Sequence, residues 1–101
     1  MSTLLLQLAG NRSFNRTFFP PRLYIYDDLL MYRKRNLIMV KEITFSYNQI
    51  SRVNLVKGIL FFAEIELATT GRDDVKIKWV PKGKGVLAKK IIDQKLYHAH
   101  A

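Results

Sequence analysis

Arg22-Leu23-Tyr24-Ile25-Tyr26-Asp27-Asp28-Leu29-Leu30-Met31-Tyr32-Arg33-Lys34-Arg35 sets two runs of aromatic and aliphatic residues around a pair of aspartates. Pro20-Pro21 in front of the first run keeps a helix from entering it, because the residue before a proline is pushed out of the helical region. Arg22 to Tyr26 alternates in the manner of a strand, and Leu29 to Arg35 follows as a second. Asp27-Asp28 supplies the turn, since aspartate side chains accept hydrogen bonds from nearby backbone. A two-residue connection sets Tyr26 opposite Leu29 and Tyr24 opposite Met31.

The same reading extends along the chain. Leu37 to Phe45 favours a third strand, Ser46-Tyr47-Asn48 a turn, and Gln49 to Val56 a fourth strand closed by Lys57-Gly58. Phe61, Ala63, Ile65, Leu67 and Thr69 fall on one face of a fifth strand, with Glu64 and Glu66 on the other. After Thr70-Gly71-Arg72-Asp73, the sixth strand places Val75, Ile77 and Trp79 inward and Lys76 and Lys78 outward. Beyond Pro81 the period changes. Ala88, Ile91, Ile92 and Leu96 recur at steps of three to four between charged residues, which describes an amphipathic helix from Gly85 to Tyr97. The expectation is a mainly β domain, a bent antiparallel sandwich or partly open barrel of six to seven strands, closed by one C-terminal helix.

The organisation expected is an N-terminal segment over 1–19, a domain over 20–97 and a tail over 98–101. In the first segment Ser2 or Thr3 caps a short helix carrying Leu4, Leu5 and Leu8, or the segment is flexible, since so short a helix holds only against a partner. At 101 residues, with 49% apolar and 25% charged residues, the chain has the composition of one globular domain. The absence of cysteine excludes disulfides and thiolate metal sites and fits a reducing compartment. No apolar run approaches a membrane span, and the Leu4 to Leu6 run lacks the basic residue that precedes a secretory signal.

Two segments resemble the bacterial pleckstrin-homology-like domain family. Leu23 to Arg33 is similar to its "T-D-D-R-L" opening of the second strand, and Ile43-Thr44-Phe45-Ser46-Tyr47-Asn48-Gln49-Ile50-Ser51-Arg52-Val53 to its "I-P-Y-D-Q-I-S-S-V" connection. Trp79-Val80-Pro81-Lys82 is similar to the "V-P-K" that leads into its last helix. The resemblance spans residues 20 to 97 and implies a seven-stranded bent sandwich capped by the C-terminal helix. The seventh strand is then expected in a bend between residues 35 and 43. It also implies a module that binds lipid head groups, peptides or copies of itself and is no enzyme. Inositide-binding relatives resemble one another in a basic loop between strands one and two. Here Asp27-Asp28 reads as that turn, and its carboxylates repel phosphate.

The chemistry-bearing residues lead the same way. His98 and His100 stand in the terminal His-Ala-His-Ala without the nucleophile or carboxylate partners that catalysis or a metal needs. Asp27-Asp28 and Asp73-Asp74 are turn residues rather than an acid–base pair. Gly83-Lys84-Gly85 lacks the spacing and hydroxyl of a phosphate loop. It reads as a strand-to-helix hinge or as an anion-attracting helix start. No cofactor and no small-molecule substrate are expected.

Charge narrows the partners. Lys and Arg number 17 against 8 Asp and Glu, a net +9, distributed as +4 over residues 1–35, zero over 36–70 and +5 over 71–101. Lys76 and Lys78 are expected to pair across strands with Glu66 and Glu64. This leaves Arg33, Lys34 and Arg35, together with Lys82, Lys84, Lys89, Lys90 and Lys95, as candidates for an anionic partner. Leu4, Leu5, Leu8, Phe18, Phe19, Tyr24 and Tyr26 are candidates for contact with a protein. The leading expectation is a non-catalytic module for protein binding or self-assembly. The alternatives are peripheral binding to an anionic membrane surface through the basic clusters and, third, non-specific nucleic-acid binding. Nucleic acid ranks last because Trp79 and Phe61, which could stack on bases, are expected to point inward. The location expected is cytoplasmic, including the inner face of a membrane.

Overall fold

The structure, a computed structural model, describes residues 3–11, 19–35, 37–58, 61–71 and 74–99. Its centre is the expected hairpin: β2 (Arg22–Tyr26) and β3 (Leu29–Arg35) pair antiparallel, with Tyr24 opposite Met31 and Ile25 opposite Leu30. β3 continues into β4 (Val40–Ser46), and a single turn of 3-10 helix over Tyr47–Gln49 redirects the chain. Ser46 N–H donates to the Gln49 side chain at 2.9 Å, which fixes the start of that turn. β5 (Ile50–Lys57), β6 (Phe62–Thr69) and β7 (Val75–Pro81) form the second sheet, and α1 (Lys82–Ala99) follows directly.

The seventh strand lies at the N-terminus, not between residues 35 and 43. Leu4–Ala9 forms β1, where a short helix or a flexible segment was expected, and gives the first sheet the order β1-β2-β3-β4. Six residues are too few for a stable helix. As a strand they gain a ladder along β2, with Gln7 opposite Tyr24 and Leu8 opposite Leu23. Asp27 holds the far end: its N–H donates to Thr3 O at 2.9 Å, and Thr3 N–H donates to its carboxylate at 2.8 Å. The domain thus includes the N-terminal strand as well as residues from 20 onward.

Inward alternation builds the core. Leu8, Leu23, Ile25, Leu30 and Phe45 of the first sheet meet Ile50, Val53, Ile65, Leu67, Val75, Ile77 and Val80 of the second. α1 closes the assembly with Ala88, Ile92 and Leu96, making its largest contact with β5. The fold is pleckstrin-homology-like: two antiparallel sheets of four and three strands with one C-terminal helix.

Three local departures from the sequence reading have physical causes. α1 begins at Lys82 and runs to Ala99, so Gly83-Lys84-Gly85 is its first turn rather than a hinge, and residues 98 and 99 belong to the helix rather than to a tail. Gly85 is buried there, and a Cβ on it would stand 3.1 Å from Leu55 Cδ1, so its bareness lets the helix approach the sheet. In β7, Ile77 faces Ile65 and Val80 faces Ala63, which leaves Lys78 and Trp79 together opposite Glu64. This bulge sets Trp79 at φ 60°, a strained value for a bulky side chain, and buries Val80 in its place. Trp79 is half-buried, edge-on to Phe62 with ring centroids 6.0 Å apart, and its carbonyl accepts from Asn11 N–H at 2.8 Å. Phe61 precedes β6 and is exposed, contrary to its expected inward face.

Candidate functional site

Because Leu23, Ile25, Leu30 and Phe45 point into the core, the residues between them line the outer face of the first sheet. There Arg22 stands directly opposite Arg33, and Arg35 follows two residues on along the same face. The three arginines share a small concavity of about 100 Å³ with Phe19 and Pro20. The Arg35 guanidinium lies 4.7 Å from the centroid of the Phe19 ring, a cation–π contact that pre-orders the side chain. Arg33 Nε is 3.2 Å from Glu42 Oε1, yet it is out of solvent and makes no aligned hydrogen bond. Among the described residues, three guanidinium groups against one carboxylate leave an unbalanced positive site with the fork geometry that suits phosphate or carboxylate oxygens.

Arg22 was not among the expected basic residues, because in the sequence it stands alone and only the β2–β3 register brings it to Arg33. Lys34 points to the other side of the hairpin, where it faces Lys41. The hairpin end therefore carries like charges opposed on both faces, with Glu42 the acidic residue among them.

The connection between β3 and β4 holds a second feature that sequence reasoning missed. Leu37 is 86% exposed, Ile38 94%, Met39 67% and Val40 51%. The sequence pattern places Leu37 to Met39 in a strand, in which half of an apolar run would face the core; the strand instead starts at Val40. The signal was present as an apolar quartet between Arg33-Lys34-Arg35 and Lys41.

The remaining candidates are scattered. Lys82 to Lys95 spread along about 20 Å of helix, by the helical rise. Lys89 pairs with Asp93 at 2.6 Å, Lys84 Nζ reaches Gln7 O at 3.5 Å, and Lys95 shares a shallow depression with Asp27 and Asp28. Leu8 is buried in the core and is no contact surface, whereas Leu4 and Leu5 are exposed. Phe19, Tyr24 and Tyr26 are half-buried; Phe18, Phe14 and His100 lie outside the described residues.

The aspartate pair sits elsewhere than expected. Once β1 is counted, Asp27-Asp28 joins the second and third strands, and the stretch between strands one and two is residues 10–21, of which 12–18 lie outside the described residues and Phe19 and Pro20 line the arginine concavity. The carboxylate argument against a phosphate ligand therefore falls. Asp27 is held below the ordinary aspartate range chiefly by the hydrogen bond from Thr3, a structural use of the group. Tyr47 donates its hydroxyl to Tyr26 O at 2.6 Å, and burial, helped by the nearby Asp28 and Asp27 charges, pushes its pKa up to about 12. Among the described residues no three His, Cys, Asp or Glu side chains gather as metal ligands would.

The fold is similar to that of the C-terminal domain of an unknown protein from Leishmania infantum, at a TM-score of 0.63 and 17% identity, over 94% of this chain and 85% of that one. At that identity the likeness speaks for the fold alone. No protein-family model matches the sequence, and no curated protein does.

Proposed function

We propose that the domain is a non-catalytic module that docks reversibly on an anionic phospholipid surface, with Arg22, Arg33 and Arg35 taking the head-group phosphates. The observation that carries this reading is the direct opposition of Arg22 and Arg33 beside Arg35 on an outward face. Like charges placed opposite each other in a sheet are destabilising unless an anion joins them. Each basic residue near such a surface contributes about 1 kcal/mol, enough for reversible attachment by several together. The resemblance to the bacterial pleckstrin-homology-like family agrees with a binding role. The cytoplasmic face of a membrane is the corresponding location. Among the described residues no helix is long and apolar enough to cross a bilayer, so attachment would be peripheral.

The test is co-sedimentation with phosphatidylcholine vesicles with and without phosphatidylserine, for the native chain and for an Arg22→Gln/Arg35→Gln variant. Binding that needs the anionic lipid and falls about tenfold or more in the variant agrees with the reading. Equal binding of both proteins to both vesicles rejects it.

A second reading, self-assembly, draws on Leu4 and Leu5, which are exposed on the edge strand β1. It expects a solution oligomer whose mass falls in a Leu4→Ser/Leu5→Ser variant; a monomeric native chain by light scattering sinks it. Nucleic-acid binding keeps the last place, because among the described residues lining the arginine concavity Phe19 alone is aromatic and it is engaged by Arg35.

A further inference from the structure

Scattered apolar residues on a surface are ordinary, but four in succession at a loop tip are not. Leu37, Ile38, Met39 and Val40 carry exposures from 51% to 94% and cap a hairpin whose two strands run out past the core. Directly behind the tip, register pairs Arg35 with Val40, Lys34 with Lys41 and Arg33 with Glu42. Basic side chains thus lie on both faces of the hairpin, at the level where the apolar residues end. An apolar point with a cationic collar has the profile of an anionic bilayer interface, in which phosphates lie above the acyl chains.

We infer that the β3–β4 tip is a membrane wedge: Leu37, Ile38 and Met39 enter the head-group and acyl boundary while Arg33, Lys34, Arg35 and Lys41 hold the phosphates. The inference rests on the lipid-docking reading and extends it, because the bound partner is then the hydrocarbon layer as well as the head groups. It separates two contributions by salt. Charge attraction fades as the Debye length falls from about 10 Å at 0.1 M salt to about 3 Å at 1 M, whereas apolar insertion persists. The wedge also favours loosely packed, highly curved bilayers, which open room for apolar side chains.

The chain has no cysteine, so an Ile38→Cys variant carries a single environment-sensitive dye at the most exposed of these positions. Mixed with phosphatidylcholine–phosphatidylserine vesicles, the dye is expected to shift to the blue and to be quenched by bromine placed on the acyl chains. A Leu37→Ser/Ile38→Ser variant is expected to keep most binding at about 0.1 M salt and to lose about tenfold or more at about 1 M. Both positions are exposed, so neither change threatens the fold.

Vesicle binding with the dye still open to iodide in water overturns the wedge and leaves head-group docking standing. A blue shift that depends on protein concentration without vesicles overturns it in favour of contact between copies. Absence of vesicle binding by the native chain at either salt overturns the wedge and the docking reading together.

Discussion

Replacing Arg22 by glutamine is expected to make the protein more stable and a poorer lipid binder. Arg22 and Arg33 are cross-strand neighbours on the outer face of the first sheet. Two unit charges about 6 Å apart in a water-like dielectric repel by about 0.7 kcal/mol, and salt near 0.15 M cuts this roughly in half. Glu42 lies 3.2 Å from Arg33 and offsets part of the remainder. Arg22→Gln should therefore gain about 0.3 kcal/mol, or roughly 1–2 °C in thermal midpoint for a domain of this size. The same change removes one phosphate-facing charge and should lower affinity for anionic vesicles about fivefold.

Arg52→Gln is the control. Arg52 is exposed on β5 opposite Ala68, so its loss changes the net charge equally without relieving a like-charge pair. Thermal and urea unfolding give the first quantity, each compared with Arg52→Gln at low and high salt, and vesicle co-sedimentation gives the second. A loss of stability in Arg22→Gln relative to the control, or equal vesicle affinity for the two, refutes the argument that this pair is held in tension for an anion.

Leu8→Ala, at a side chain only 2% exposed, should cost about 2–4 kcal/mol in urea unfolding, whereas Leu5→Ala should stay within about 0.5 kcal/mol. Equal effects would deny β1 its place in the core. Tyr47→Phe loses the hydroxyl that donates to Tyr26 and should cost about 1 kcal/mol near neutral pH. The Tyr47 pKa is raised to about 12, so its contribution is complete below the unfolded value near 10 and fades as pH climbs between the two. The gap between native chain and variant in denaturant should accordingly narrow over that window, and a constant gap would reject the assignment. Lys89→Gln/Lys90→Gln/Lys95→Gln should leave anionic vesicle binding within about twofold, since each of these charges adds little when held away from the surface. A larger loss in co-sedimentation would move the site to the helix.

Most of the architecture was legible because one face of each strand is buried and the other is not. Ile65, Leu67 and Ile77 all face the core as their alternation required, and Tyr24 meets Met31 as a two-residue turn dictates. β1 was illegible for a definite reason. Leu4-Leu5-Leu6 has no alternation, and its strand state is decided by a partner, β2, about twenty residues away. Two glycines hid the true start of α1: Gly85 reads as a helix breaker in sequence and acts as a point of close packing in the fold. The bulge at Trp79 was hidden by the regularity of Val75, Ile77 and Trp79, since nothing local shows that Val80 outcompetes the larger side chain for the interior.

The site was half legible, and the missing half changes the functional reading. Arg33, Lys34 and Arg35 stand out as a charge run, but without β1 the aspartate turn reads as the first loop and speaks against phosphate. With β1 in place, the aspartates join the second and third strands instead, Asp27 turns out to hold Thr3, and Phe19 and Pro20, just before β2, stand beside the arginines. At this one end of the hairpin three local rules are broken together: arginine faces arginine, lysine faces lysine, and four apolar residues stand in water. Each departure costs stability when the protein is free in solution, and breaches of local consistency concentrate where a sequence serves binding rather than folding. One environment removes all three at once. Phosphates neutralise the opposed cations and hydrocarbon takes the tip, whereas free phosphate would satisfy only the charges and a neutral apolar surface only the leucine, isoleucine, methionine and valine. That joint requirement, rather than the net charge of the chain, is the ground for the proposed anionic lipid interface over nucleic acid, which offers phosphates without a hydrocarbon layer.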